Sequence, residues 1–119
     1  MTKTNNKINE RRLLQGWVFR LAYRLMEKDG LARSESLRLA WNNLRLLEKL
    51  GQGEVTFYYQ KEDGSTRKAI GTLRHDLIPL PPREAYTTKE YDDDKLTFVY
   101  YDLQKKGFRS FRASKLIRS

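Results

Sequence analysis

The chain of 119 residues contains no cysteine, a single histidine and only three prolines. Without cysteine, a disulfide framework, a thiolate nucleophile and a cysteine-bound zinc are all excluded, and a reducing compartment is the natural environment. No apolar run approaches the roughly 20 residues that span a bilayer. The segment Met1–Asn9 also lacks the apolar stretch of a signal peptide. These absences predict a cytoplasmic protein that does not engage a membrane.

Groups that carry chemistry are equally scarce. The only histidine, His75, stands beside Asp76 with no cysteine nucleophile to activate, and Gly51–Gly53 lacks the Lys-Ser/Thr of a phosphate-binding loop. Three consecutive carboxylates, Asp92–Asp94, cannot all converge on one ion and do not lie in a glycine-punctuated calcium loop. We therefore expect no catalytic residue, no metal site and no cofactor, and we interpret the chain as a binding protein and not an enzyme.

Basic residues outnumber acidic ones by 24 to 15, which gives a net charge of +9. The charges are arranged in blocks, because the last 17 residues hold six basic side chains and no acidic one, whereas acids collect between Glu84 and Asp94. An excess of this kind favours a polyanionic partner, which is nucleic acid, an anionic membrane surface or an acidic protein. Many basic proteins do not bind nucleic acid, so the positions of the basic residues matter more than their number.

The first half of the chain has the three- and four-residue apolar spacing of helices. The spacing predicts one helix over residues 11–28, with Asn9 as its N-cap and Gly30 just beyond its end. It predicts a second helix over residues 34–50, with Ser34 as its N-cap.

Each predicted helix carries one apolar stripe. The stripes consist of Leu14, Trp17 or Val18, Leu21 and Leu25 on the first helix, and of Leu37, Trp41 with Ala40, Leu44 and Leu47 on the second. Only residues 31–33 separate the helices, so we expect antiparallel neighbours or a tight helix-turn-helix. Trp41 lies in the middle of its stripe and is therefore expected to be buried.

From Glu54 onward the apolar period changes to two, which indicates strands. The predicted strands cover residues 55–60, 66–73, 96–103 and 108–113, followed by a short fifth element at 114–117. Turns at Glu62–Ser65 and Gln104–Gly107 connect them, and Gly71 indicates a bulge or bend. The long connection 75–95 contains all three prolines. Short, strongly bent strands of this size are typical of an SH3-like or Sm-like barrel.

The strand sequences carry a family resemblance over about residues 54–118. Its most specific parts are Gly71-Thr-Leu73, Arg109-Ser-Phe111-Arg112 and Lys115-Leu-Ile117. They resemble the WYL-like family with an Sm-like SH3 β-barrel, and above all its short branch from phages and mobile elements, in which a helical segment precedes the barrel. Leu96, Thr97 and Phe98 stand where that family has its Trp-Tyr-Leu tripeptide. The resemblance implies a regulatory protein whose barrel senses ligands or nucleic acid, with Arg109 and Arg112 at the anion-contacting positions.

The expected fold is therefore α+β, with a basic two-helix hairpin over residues 1–53 and a small antiparallel Sm/SH3-like β-barrel over residues 54–119. Helix 1 has a ridge of basic residues four apart, although such a ridge also serves solubility. The C-terminal hairpin interleaves arginines with aromatics, the pattern by which small barrels hold phosphates and stack bases. Phe57, Phe98 and Phe111 are interpreted as core.

The favoured hypothesis is a nucleic-acid-binding or regulatory module of phage or mobile-element origin. Its candidate contact residues are Arg109, Arg112, Lys115, Arg20, Arg24, Lys28, Tyr58 and Tyr101. Arg109 and Arg112 are three residues apart, so an unbulged strand directs them to opposite faces. The alternatives are a protein-interaction module, such as a phage-encoded inhibitor of a host protein, and a sensor of an anionic small ligand.

Overall fold

A computed structural model describes residues 2–79, 91–92 and 96–119, with side chains for 12–79 and 96–119. The chain forms two compact units, residues 1–41 and 42–119. The division lies inside the second helix, so the C-terminal half of that helix groups with the sheet. The separation into domains at residue 53 stays a prediction.

Two helices open the chain, α1 at Thr2–Asp29 and α2 at Arg33–Gln52. Both begin earlier than the apolar spacing predicts, so Asn9 and Ser34 are not N-caps. The amide of Ser36 already donates to the carbonyl of Ala32 at 2.9 Å. Helical hydrogen bonding thus begins before the first apolar residue of the stripe, and apolar spacing alone does not indicate that start. The predicted stop is confirmed, since Gly30 adopts a left-handed φ of 66° directly after α1.

The buried faces of the helices differ in part from the predicted stripes. On α1 the buried residues are Val18, Leu21, Ala22 and Leu25, whereas Leu14 is exposed. On α2 they are Ser36, Leu39, Ala40, Asn43, Leu44, Leu46 and Leu50. Trp41 is only half-buried, contrary to the prediction. The error arises because Ser36 and Asn43, two polar residues that an apolar pattern cannot register, lie on the buried face.

The remaining described elements form an antiparallel sheet. Its strands are β1 Val55–Gln60, β2 Thr66–Thr72, β3 Tyr91–Asp92, β4 Thr97–Asp102, β5 Gly107–Arg112 and β6 Leu116–Arg118. The order is β3-β4-β2-β1-β6, with β5 paired to β4. The α+β prediction with an Sm/SH3-like sheet is confirmed. The sheet is not closed by hydrogen bonds, because β5 pairs only with β4 among the described residues, and a short 3-10 turn, Ala113–Lys115, leads from β5 to β6.

The tight turn between β1 and β2 follows the prediction, with Gly64 at a φ of 88°. Gly71 has a different role from the one predicted. It pairs in regular register with Val55 and with Asp102, and a Cβ at this position would lie 2.5 Å from the ring of Tyr100. Glycine is needed there because an aromatic ring lies against the backbone, and not because the strand bulges.

The core of the second unit is aromatic. Phe57, Phe98 and Phe111 are buried as predicted, and Tyr59 and Tyr100 join them. Phe57 packs edge-on against Tyr100 with ring centroids 4.9 Å apart and tilted against Phe111 at 5.5 Å. Four hydrogen bonds join the C-terminal half of α2 to the rest of this unit. Two run to the carbonyl of Leu50, one runs from Arg74 to the carbonyl of Gln52, and one runs from the side chain of Asn43 to the carbonyl of Ala113.

Candidate nucleic-acid interface

A cleft of about 470 Å³ separates the β1–β2 hairpin from β5. Residues 59–63 and Arg67 line it from the hairpin side, and residues 109–112 line it from β5. Four consecutive strand residues line one cavity when the cavity runs along the edge of the strand, because alternate side chains point to opposite faces. The regular pairing of β5 with β4 places Arg109 and Arg112 on opposite faces of the strand, as expected. Both still line the same cleft, because it runs along the edge of β5 that is unpaired among the described residues. We call this site the arginine cleft.

At the inner end of the arginine cleft, Arg67 and Arg109 face one buried carboxylate, that of Asp102. Arg67 donates from Nη2 to Oδ2 of Asp102 at 2.6 Å, and Nε of Arg109 lies 3.8 Å from the same oxygen. The other carboxylate oxygen accepts the backbone amides of Gln104 and Lys105, each at 2.9 Å. Asp102 is fully buried, so these partners replace its lost hydration. Its carboxylate therefore fixes the position of Arg67 and draws Arg109 toward the cleft.

The charge state of this cluster follows from its contacts. Burial alone raises the pKa of Asp102, but the bonds from the Lys105 amide, Arg67 and the Gln104 amide outweigh burial and leave that pKa below its ordinary value. The hydrogen bond to Asp102 in turn raises the pKa of Arg67. Both groups are therefore ionised over the whole physiological range.

Two tyrosines complete the inner end. The hydroxyls of Tyr59 and Tyr100 lie 2.9 Å apart and form a buried hydrogen bond. Burial, reinforced by that bond, raises the pKa of Tyr100 well above its ordinary value. The phenol of Tyr100 is thus neutral at physiological pH, and Tyr59 brings a polar edge to the cleft wall.

The mouth of the arginine cleft is an exposed ion pair. Arg112 donates from Nε to Oε1 of Glu62 at 3.1 Å, with the two side chains 45% and 83% exposed. The next residue, Asp63, bonds to the side chain and amide of Ser65, and these bonds lower the pKa of Asp63. Lys115 lines an adjoining hollow together with Lys61, Glu62 and Arg112. Three candidate residues, Arg109, Arg112 and Lys115, thus lie around one continuous region.

The two candidate tyrosines have different environments. Tyr101 is buried and packs edge-on against Phe108, with Ile78 in the same cluster. Its ring cannot stack on a base, so it does not belong to the interface. Tyr58 is half-buried on the outer side of β1, and the guanidinium carbon of Arg118 lies 4.6 Å from the centre of its ring. Tyr58 is therefore accessible, but away from the arginine cleft.

The basic ridge of α1 belongs to the other compact unit. Arg20 and Lys28 are exposed and Arg24 is half-buried. The spacing of four residues aligns them along one flank of the helix. As a contact surface the ridge stays a prediction.

The residues of these surfaces that sequence analysis missed include Arg67, Asp102 and Arg118. Asp102 had a local signal, because an aspartate just before a turn often accepts the backbone amides that follow it. Arg67 had no local signal in the sequence, because its partner Asp102 lies 35 residues away in the chain. Arg118 is identified only by the pairing of β6 with β1.

A family model described as WYL_2, with an Sm-like SH3 β-barrel fold, matches residues 43–117. The chain belongs to this family. The match begins within α2, at nearly the same residue as the second compact unit, so the C-terminal half of that helix is part of the family domain. A phage or mobile-element origin stays a prediction. No curated protein and no solved structure matches the chain.

Two absences among the described residues bear on alternative sites. No helix within these ranges is long and apolar enough to cross a membrane. No group of three His, Cys, Asp or Glu side chains in the same ranges lies close enough to hold a metal ion. Of the acidic run Asp92–Asp94, residues 93 and 94 lie outside the described residues.

Proposed function

We propose that this WYL_2 protein is a non-enzymatic nucleic-acid-binding module that holds backbone phosphates in the arginine cleft. The observation that carries the proposal is the convergence of Arg67, Arg109 and Arg112 on one cavity from two separate parts of the sheet. Guanidinium groups suit phosphates because their planar fork donates two parallel hydrogen bonds to phosphate oxygens.

The distribution of carboxylates supports the same proposal. Asp102 is fully buried and already bound to Arg67, so it neutralises the inner arginine without facing a ligand. At the mouth, Asp63 is held by its own turn. Among the described residues, Glu62 is the only carboxylate paired with a cleft arginine at an exposed position. An exposed pair of this kind is worth at most about 1 kcal/mol. A phosphate can therefore displace it from Arg112.

The surrounding charge extends the surface that a polyanion would follow. Lys61 lines the cleft, and Lys115 lies in the adjoining hollow. We propose that these lysines add further phosphate contacts and that Arg20, Arg24 and Lys28 supply a separate basic surface on α1. Because the contacts are to phosphates, binding is expected to depend little on base sequence. A role in regulation, in a phage or mobile element, is consistent with such a module.

Two alternatives have an observation in their favour. The cleft volume of about 470 Å³ falls within the roughly 300–1,000 Å³ of small-ligand pockets, which favours a sensor of an anionic small molecule. Exposed apolar side chains on α1, among them Leu13, Phe19 and Tyr23, favour a protein partner.

The test is fluorescence anisotropy of labelled single- and double-stranded oligonucleotides with the full chain over a salt series. Arg112→Glu should weaken binding to all sequences and reduce the salt slope by about one unit, as the loss of a phosphate contact does. The matched control is Arg74→Glu, because Arg74 is 53% exposed, pairs with Asp76 at 2.8 Å and lies outside the cleft. The control should change binding much less.

The alternatives separate in the same experiment. If the wild type binds no oligonucleotide even at low salt, the nucleic-acid proposal is wrong. Thermal stabilisation by mononucleotides, lost in Arg112→Glu, would then support the small-ligand sensor. If neither ligand binds, the protein-interaction alternative takes first place.

A further inference from the structure

A second basic surface lies on the outer face of the sheet, on the opposite side of β1 from the aromatic core. Phe57 and Tyr59 point inward and are buried, so Tyr58 between them points outward. Strand register pairs Tyr58 with Lys68 of β2 on one side and with Arg118 of β6 on the other. These three residues form a row across three adjacent strands, which we call the outer row.

The guanidinium of Arg118 lies over the ring of Tyr58, 4.6 Å from its centre. A guanidinium stacked on a phenol ring leaves its second planar surface open, and both planar guanidinium groups and tyrosine rings stack on nucleic-acid bases. Lys68 and Arg118 are exposed, and neither forms an ion pair with another of the described residues. The outer row thus combines a flat stacking surface with two available positive charges.

The strands that form the outer row lack acidic residues that could pair with its basic side chains. Strands β1, β2 and β6 contain no aspartate or glutamate, and the exposed neighbours of the outer row are Thr56, Gln60 and Thr66. Hydroxyl and amide groups of this kind hydrogen-bond to bases and phosphates. In the arginine cleft, by contrast, each arginine has a carboxylate within 4 Å.

We infer that the outer row is a base-stacking site for single-stranded nucleic acid, distinct from the arginine cleft. Single-strand surfaces of small barrels combine a positive track for the backbone with aromatic groups on which unpaired bases stack. In a duplex the bases are already stacked on each other, so the ligand of this row is single-stranded. The inference rests on the proposed function, because it assigns the bases of the same polyanion to a second surface.

The experiment compares a labelled short oligothymidylate with an abasic deoxyribose-phosphate oligomer of the same length, using the full chain. Wild type should bind the base-bearing oligomer more tightly. Tyr58→Leu should lower that affinity at least about fivefold, the lower limit for loss of one stacked base, and leave the abasic affinity unchanged. Tyr58→Phe keeps the stacking ring and should keep the affinity.

Two further variants separate stacking from charge. Arg118→Lys retains the charge but loses the planar group, so it should reduce the preference for bases without changing the salt slope. Lys68→Gln should reduce the magnitude of the salt slope of binding by about 0.7 for both oligomers, which is the contribution of one phosphate contact on a single strand. Both residues are exposed, so these variants remain informative if Tyr58→Leu unfolds, which thermal melting would reveal.

The possible failures are distinguishable. If neither oligomer binds, the proposed function fails and this inference fails with it. If both bind equally and Tyr58→Leu and Arg118→Lys change neither affinity, the base-stacking assignment is wrong while phosphate binding in the arginine cleft stands.

Discussion

The inner end and the mouth of the arginine cleft each hold an arginine against a carboxylate, yet the two pairs differ physically. Arg67 and Asp102 are 2.6 Å apart, with side chains 16% and 0% exposed. Arg112 and Glu62 are 3.1 Å apart, with side chains 45% and 83% exposed. Separating the buried pair leaves polar groups without partners, whereas the exposed pair exchanges readily with water or a ligand. One arginine therefore stabilises the fold, and the other is available for binding.

The largest expected effect comes from breaking the inner pair. Asp102→Ala removes the partner of Arg67 and the acceptor of two backbone amides, so it should lower the free energy of unfolding by about 3–5 kcal/mol. Urea denaturation followed by circular dichroism measures the loss. Glu62→Ala is the control at the mouth and should cost less than about 1 kcal/mol. Equal losses in the two variants would contradict the distinction between the two ends.

The packing next to the inner end gives a second, smaller effect. An alanine Cβ at Gly71 would lie 2.5 Å from Cδ2 of Tyr100 and 3.1 Å from the carbonyl oxygen of Tyr101. Gly71→Ala should therefore destabilise the protein by about 1–3 kcal/mol through overpacking. Gly51→Ala is the matched control, because nothing lies within 4 Å of its added Cβ and alanine favours the end of α2. If urea denaturation shows no change in the free energy of unfolding of Gly71→Ala, then Tyr100 moves aside at little cost.

The pH dependence of stability should report the ionisation of Asp102 at the inner end. The pKa of Asp102 is lower in the folded protein than its ordinary value of about 3.9. Its ionisation therefore contributes stability that is fully present above that ordinary pKa and is lost as pH falls through the lowered folded pKa. Denaturation midpoints measured from pH 6 downward should show the gap between wild type and Asp102→Ala narrowing below about pH 4. A gap that stays constant to pH 2.5 would assign the effect of the substitution to packing instead.

The smallest expected effect on stability is at the mouth. Arg112→Gln should change the free energy of unfolding by less than about 1 kcal/mol, because the pair with Glu62 is mostly exposed. The same variant should lower the salt slope of oligonucleotide binding by about one unit. A loss of more than 2 kcal/mol on urea denaturation would mean that Arg112 has a structural role as Arg67 does.

Prediction from sequence succeeded where the determinants are local. The change of apolar period near Gly53, the Asp63-Gly64 turn and the glycine after α1 each act within a few residues. These local signals predicted the order of helices and strands along the chain. Aromatic residues at alternate strand positions predicted the core. Prediction failed where neighbours come from elsewhere in the chain. Tyr101 is buried because Ile78, from the connection after β2, covers it, and no periodicity within β4 carries that information.

The sequence by itself determined the α+β class, the family, the strand order along the chain and the basic character of the C-terminal hairpin. Tertiary structure alone decided which basic residues are held and which are available. Arg67 and Asp102 meet only because β2 pairs with β4, and Tyr58, Lys68 and Arg118 form a row only because β6 returns to β1. A side chain's charge is a property of its residue, but its burial and its partners depend on chain segments far away in sequence, which only the folded protein brings together.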